Sequence, residues 1–121
     1  MTEWFKIITS TELIRVRTDE IVYICAAGNY SEMYLTNGRS RTLTFQLHCF
    51  EEQFKRLQNN TFVRVGRSLI INKRYVFSIN LTDQTLMFTG QSVNLSIKSL
   101  TASRDALKKL MDELKIEKNE Q

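Results

Sequence analysis

The run Phe62–Tyr75, FVRVGRSLIINKRY, constrains the fold more than any other stretch of the chain. Its apolar positions Val63, Val65, Leu69, Ile70 and Ile71 are rich in β-branched residues. They come in segments too short for an amphipathic helix, so they read as strand. Gly66-Arg67-Ser68 interrupts them, which makes two strand segments with a kink between. Arg64, Arg67, Lys73 and Arg74 stand in this run against no acid. A rigid scaffold that exposes an arginine at a bend is a common way to address an anion.

The same grammar runs along the rest of the chain. Strands are expected at Trp4–Ile8, Leu13–Arg17, Ile21–Ala26, Tyr30–Thr36 and Arg39–Phe45. Asn37-Gly38 between the last two is a strong hairpin signal, because both residue types tolerate positive φ. The period then changes. Leu47, Phe50, Phe54 and Leu57 recur at spacings of three and four, one apolar face of a helix that Asn59-Asn60 ends. Strands resume at Thr61–Val65, Leu69–Ile71, Tyr75–Asn80, Thr85–Phe88 and Ser92–Ile97. Leu107, Leu110, Met111 and Leu114 mark a final amphipathic helix over about 103–116, with Ser103 as its N-cap and a frayed tail beyond. Many short strands with one inserted helix predict a mainly β, antiparallel domain.

Size and charge narrow the function. A chain of 121 residues fits one domain, with its core over about 5–110. No apolar run approaches the roughly 20 residues of a membrane span and no signal-peptide pattern opens the chain, so a cytoplasmic location is the simplest expectation. Cys25 and Cys49 are isolated and there is a single histidine, too few ligands for a zinc site; both cysteines read as small hydrophobes rather than a disulfide. From Met33 to Arg104 ten bases stand against three acids, an excess of seven in a chain whose net charge is +4. That asymmetry points to nucleic acid as partner.

Three pieces stand in a recognisable order: DEIVYICAAGNYSEMYLTNGR (Asp19–Arg39), the helix followed by FVRVGRSLIINKRYV (Phe62–Val76), and LSIKSL (Leu95–Leu100). Together they resemble the LytTR-type DNA-binding domain, the β-rich output module of many bacterial response regulators in two-component systems. The most specific part is F-x-R-x-x-R-S-x-x-x-N, here Phe62, Arg64, Arg67, Ser68 and Asn72. The resemblance implies an elongated arrangement of small antiparallel sheets with one packed helix and a C-terminal amphipathic helix. It also implies loops that enter two successive major grooves and the minor groove between them. By position, the first contact loop is Gly28-Asn29-Tyr30-Ser31, the second Gly66-Arg67, and the third the turn around Lys98 and Ser99.

The chemistry suits those places. Lys98 can donate to guanine O6 and N7 or to a phosphate. Arg67 in a minor groove would be drawn by its negative potential, and Asn29 and Ser31 offer short polar groups for base edges or phosphates. Arg39, Arg41, Lys73 and Arg74 are expected on backbone phosphates, where contacts fix register and supply salt-sensitive affinity. Two positions depart from the family. Gly66 stands where many members carry histidine and Lys98 where they carry arginine, which bears on sequence preference more than on DNA binding. A phospho-acceptor domain of roughly 120 residues usually precedes this module, but only twenty residues precede Ile21. A stand-alone regulator, controlled by abundance or by a partner protein, and an excised output domain both remain open.

Plainer readings compete at single residues. Arg64 reads mainly as structural or phosphate-only, Asn72 as a turn-stabilising asparagine, and Tyr23 as core. Tyr30 is evenly balanced between contact and surface. Glu51 and Glu52 fall in the first turns of the helix, where carboxylates complement its dipole. No nucleophile, metal cluster or phosphate-binding Gly loop is visible, so neither a catalytic residue nor a cofactor is expected. The reading is a non-enzymatic, sequence-specific double-stranded DNA binder in bacterial transcription, with two protomers on a direct repeat of bent DNA. Its rivals are an RNA or single-strand binder that uses exposed aromatics and a β-rich protein-interaction module with a basic face.

Overall fold

The four consecutive residues Ile21-Val22-Tyr23-Ile24 are all buried, which a strand covered on one face alone does not allow. The structure, a computed structural model, describes residues 3–57, 61–89 and 99–116. The central element is strand β3 (Ile21–Ala27), in an antiparallel five-stranded sheet with β4 (Tyr30–Leu35), β5 (Ser40–Leu43), β6 (Phe62–Val65) and β7 (Leu69–Asn72). The order is β5-β4-β3-β7-β6. A two-stranded ribbon of β1 (Trp4–Ile8) and β2 (Leu13–Arg17) precedes it. A small sheet of β8 (Val76–Asn80), β9 (Thr85–Phe88) and β10 (Leu100–Thr101) follows, in the order β10-β9-β8. The helices are α1 (Leu47–Phe54) and α2 (Arg104–Ile116).

Both faces of the central sheet carry a core. On one, Phe5 and Ile7 of the ribbon and Leu47, Phe50 and Phe54 of α1 pack against Ile21, Ile24, Met33 and Ile70. Phe54 stacks on Phe62 with ring centroids 4.1 Å apart, which fixes α1 over the sheet edge. On the other face Val22, Tyr23, Val65, Leu69 and Ile71 meet Leu86, Leu107 and Leu110. Alternation along β3 would feed the two cores in turn; a register shift between Ile21 and Tyr23 instead sends both Val22 and Tyr23 to the second core, with Ile21 and Ile24 on the first.

The architecture is mainly β, with small antiparallel sheets and helices packed on them, as expected from sequence. Two local readings change. The helix expected up to Asn59 ends at Phe54, with only turn to Leu57, although Leu57 still packs against the same core. The β4–β5 hairpin closes through Thr36-Asn37-Gly38, where Gly38 alone of the three has positive φ (87°). The Leu35 N–H donates to the Arg39 carbonyl at 2.9 Å and closes the hairpin around three residues, while the Thr36 N–H turns the other way, to the Glu20 carbonyl at 2.9 Å beside the Ile21–Leu35 pair. The strand expected at Ser92–Ile97 lies outside the described residues. Both cysteines are free thiols. Among the described residues no helix is long and apolar enough to cross a membrane.

Candidate nucleic-acid interface

Strand register decides which loops share an end of the sheet. Ala27 pairs with Tyr30, Cys25 with Leu69, and Val65 with Leu69, so the turns Gly28-Asn29 and Gly66-Arg67-Ser68 lie at the same end. The Ala26 N–H donates to the Ser68 carbonyl at 2.8 Å and ties one turn to the other. Asn29 and Arg67 are exposed there, and Tyr30 is 50% exposed. The chain arriving at α2 reaches the same end. Leu100, Thr101 and Ser103 line an open cavity of about 440 Å³ together with Cys25, Gly66 and Arg67. Ser99, exposed, directly precedes that wall. Burial and the neighbouring Glu32 push up the thiol of Cys25, which lines the cavity.

The second turn is held from behind. Gly66 has φ +66°, a conformation an L side chain resists by about 1–2 kcal/mol. The Arg64 guanidinium on β6 folds back on the turn, with Nε donating to the Gly66 carbonyl at 3.1 Å and a terminal nitrogen to the Arg67 carbonyl at 2.8 Å. Its remaining terminal nitrogen meets Glu51 Oε1 of α1 at 3.0 Å. Glu51 therefore answers Arg64 rather than the helix dipole. The pairing of the two was not legible in sequence, where Arg64 read as structural or phosphate-only and Glu51 as a carboxylate complementing the helix dipole. The one signal is the F-x-R-x-x-R spacing, which places one arginine before the turn and one within it; it does not point to Glu51.

Not every expected contact residue joins this end. Ser31 is a correction: its side chain is 0% exposed and donates to the Phe45 carbonyl at 2.6 Å, so it closes the sheet rather than facing a ligand. Register also sends Arg39, in the β4–β5 hairpin, to the opposite end, where Ile21 pairs with Leu35 and Phe62 with Asn72. Lys73 and Arg74 follow Asn72 at that opposite end. The Lys73 side chain is only 11% exposed and its ammonium lies 3.7 Å from Glu113 of α2, an ion pair between sheet and helix. Arg74 is exposed. Arg41 sits mid-strand on the edge strand β5, across from Met33, and is ion-paired with Glu12. Lys98 lies outside the described residues.

The motif's asparagine is structural. Asn72 is fully buried; its amide nitrogen donates to the Ile21 carbonyl at 2.9 Å and its oxygen accepts the Arg74 N–H at 2.9 Å. Tyr23, read as core, is buried between Tyr34 and Phe88, and Tyr34 donates to Glu32 at 2.7 Å. Among the described residues no group of three or more His, Cys, Asp or Glu is placed to hold a metal.

The chain matches the family model of the LytTr DNA-binding domain over residues 11–115. In structure it is similar to the LytTr DNA-binding domain of a Bacillus cereus protein described as a putative methyl-accepting/DNA response regulator. The TM-score is 0.64 at 19% sequence identity, over 92% of this chain and 95% of that one. At that identity the likeness is one of fold. No curated protein matches the chain.

Proposed function

The chain belongs to the LytTr DNA-binding domain family, and on that premise we propose that it reads double-stranded DNA in a sequence-specific way through one end of its central sheet. Binding of DNA in transcription regulation goes with the family. The finer proposal is which residues do it: Asn29, Tyr30, Gly66 and Arg67 from the two neighbouring turns, with Lys98 and Ser99 from the segment that leads to β10. One observation carries this reading. Two turns distant in sequence, Gly28-Asn29 and Gly66–Ser68, are tied at one sheet end by the bond from Ala26 to Ser68.

In this arrangement the exposed Arg67 enters a narrow minor groove, and the flanking loops address the adjacent major grooves, where base edges are distinguishable. Two protomers occupy a direct repeat, and the DNA bends to meet successive loops. Wherever the domain works without an attached phospho-acceptor domain, its control falls to abundance or to a protein partner. Tyr23 is buried and stacks between Tyr34 and Phe88, so Tyr23 and Tyr34 do not offer the row of free aromatic faces that a single-strand binder uses.

The test is selection of bound duplexes from a random-sequence pool, followed by anisotropy titration of the winner and a scrambled duplex at two salt concentrations. A repeated motif, bound more tightly than scrambled duplex at both salts, is the expected result. Binding that selects nothing and vanishes as salt rises would reduce the basic surface to a general electrostatic one.

A further inference from the structure

We propose that Arg64 is a positioning residue for the DNA-contacting turn, anchored through Glu51 to helix α1. The proposal rests on the reading above that Arg67 meets DNA, and adds what holds Arg67 at its angle of approach.

The turn is weak by itself. Three residues, Gly66, Arg67 and Ser68, join β6 to β7 at an exposed end, and the first of them is a glycine at positive φ. Left alone, the peptide planes on either side of Arg67 are free to rotate, and a long side chain amplifies small rotations at its Cα. Arg64 removes that freedom. One planar guanidinium binds the carbonyls of Gly66 and Arg67, at 3.1 and 2.8 Å, and so fixes both planes from a single rigid fork.

The fork is itself held. Glu51 Oε1 lies 3.0 Å from its third nitrogen, and Glu51 stands on a helix clamped by Phe50 and Phe54 in the core. The path from core to interface is therefore continuous: α1, Glu51, Arg64, then the two carbonyls of the contact turn. Each guanidinium nitrogen of Arg64 already has a protein acceptor and its charge is answered by a carboxylate. Arg67, exposed beside it, is left as the residue that reaches outward.

The experiment is a double-mutant cycle on the folded chain with Arg64→Lys, Arg67→Ala and both together, and Glu51→Gln as an independent variant. The readout is the ratio of affinities for the selected duplex and a scrambled one, with the salt slope and thermal midpoint recorded for each. Arg64→Lys keeps the charge and loses the fork. It is expected to lower the ratio about tenfold, a loss within the range for one base contact, with the salt slope unchanged. The double variant is expected to be no worse than Arg67→Ala alone. Glu51→Gln is expected to move the ratio the same way by less, and it carries the test if Arg64→Lys does not fold. Losses that multiply in the double variant would mean that Arg64 touches DNA itself, and would overturn the proposal. So would a full ratio in Arg64→Lys beside a reduced one in Arg67→Ala, or, should that variant not fold, a full ratio in Glu51→Gln. Should Arg67→Ala change nothing, the contact assignment fails first and the positioning role with it.

Discussion

The Asn72 side-chain amide donates to the main-chain carbonyl of Ile21 at 2.9 Å, joining the end of β7 to the start of β3 across 51 residues of sequence. The same side chain accepts the Arg74 N–H at 2.9 Å, so one fully buried amide closes the strand and starts the turn after it. Asn72→Ala leaves the Ile21 carbonyl and the Arg74 N–H without this partner, at a cost of about 2 kcal/mol. Urea denaturation checks this. The discrimination between duplexes, measured per folded molecule, should survive, because Asn72 lies at the sheet end away from the contact turns.

Phe50 is 1% exposed and touches the rings of Phe5, Phe45 and Phe54. Phe50→Ala opens a cavity between ribbon, sheet and α1, with an expected loss of about 3–5 kcal/mol. Since α1 also carries Glu51, the variant should lose duplex discrimination before it loses all structure. Parallel titrations of binding and of circular dichroism in urea would show the two transitions apart; coincident transitions count against the link.

Three tyrosines should resist alkali. The hydrogen bond to Glu32, with burial, pushes Tyr34 up to about 12. Burial, with Tyr34 beside it, pushes Tyr23 higher still, and burial raises Tyr75, whose hydroxyl donates to the Asp19 carbonyl. Between the ordinary value of 10 and the raised one, the unfolded chain has released these protons while the folded chain keeps them. Unfolding then releases protons, so stability falls as pH rises from 10 towards 12. Tyrosinate absorbance followed with circular dichroism should show these tyrosines ionising as the fold is lost. Ionisation of every tyrosine near pH 10 in an intact fold is the contrary outcome.

Lys73 and Arg67 belong to one basic run but should behave differently. Lys73 faces Glu113 with little exposure, at the other end of the sheet from Arg67. Lys73→Ala is expected to leave the salt slope of duplex binding unchanged and to loosen α2, seen as faster amide exchange in that helix. A slope reduced by about 1 would place Lys73 on a phosphate after all.

Much of the fold was legible because it rests on local chemistry. Short β-branched runs, the three-and-four spacing of Leu47, Phe50 and Phe54, and Ser103 are signals carried by neighbouring residues. Ser103 Oγ accepts the Ala106 N–H at 3.2 Å, the cap its position predicted. Turn chemistry was legible in part. Asn37-Gly38 announced a hairpin, but its loop runs to three residues, because the Leu35 N–H closes on the Arg39 carbonyl while the Thr36 N–H turns to the Glu20 carbonyl. That carbonyl stands on a different strand connection, so a local reading of Thr36-Asn37-Gly38 does not reveal it.

The kinds of element, their order, the basic run and the family motif are all written in side chains a few positions apart, and so they can be read along the chain. Which basic residues share an end of the sheet is settled elsewhere, in three dimensions. Register is a relation between strands far apart in the chain, and a shift of one residue reverses every face. It buried Ser31, gave Lys73 to Glu113, turned Asn72 inward to Ile21, and set Arg64 behind the turn that carries Arg67. Charge and spacing mark which residues are basic and which stand near turns. The pairing of β3 with β7 and of β6 with β7 determines which of them stand together at one end of the sheet.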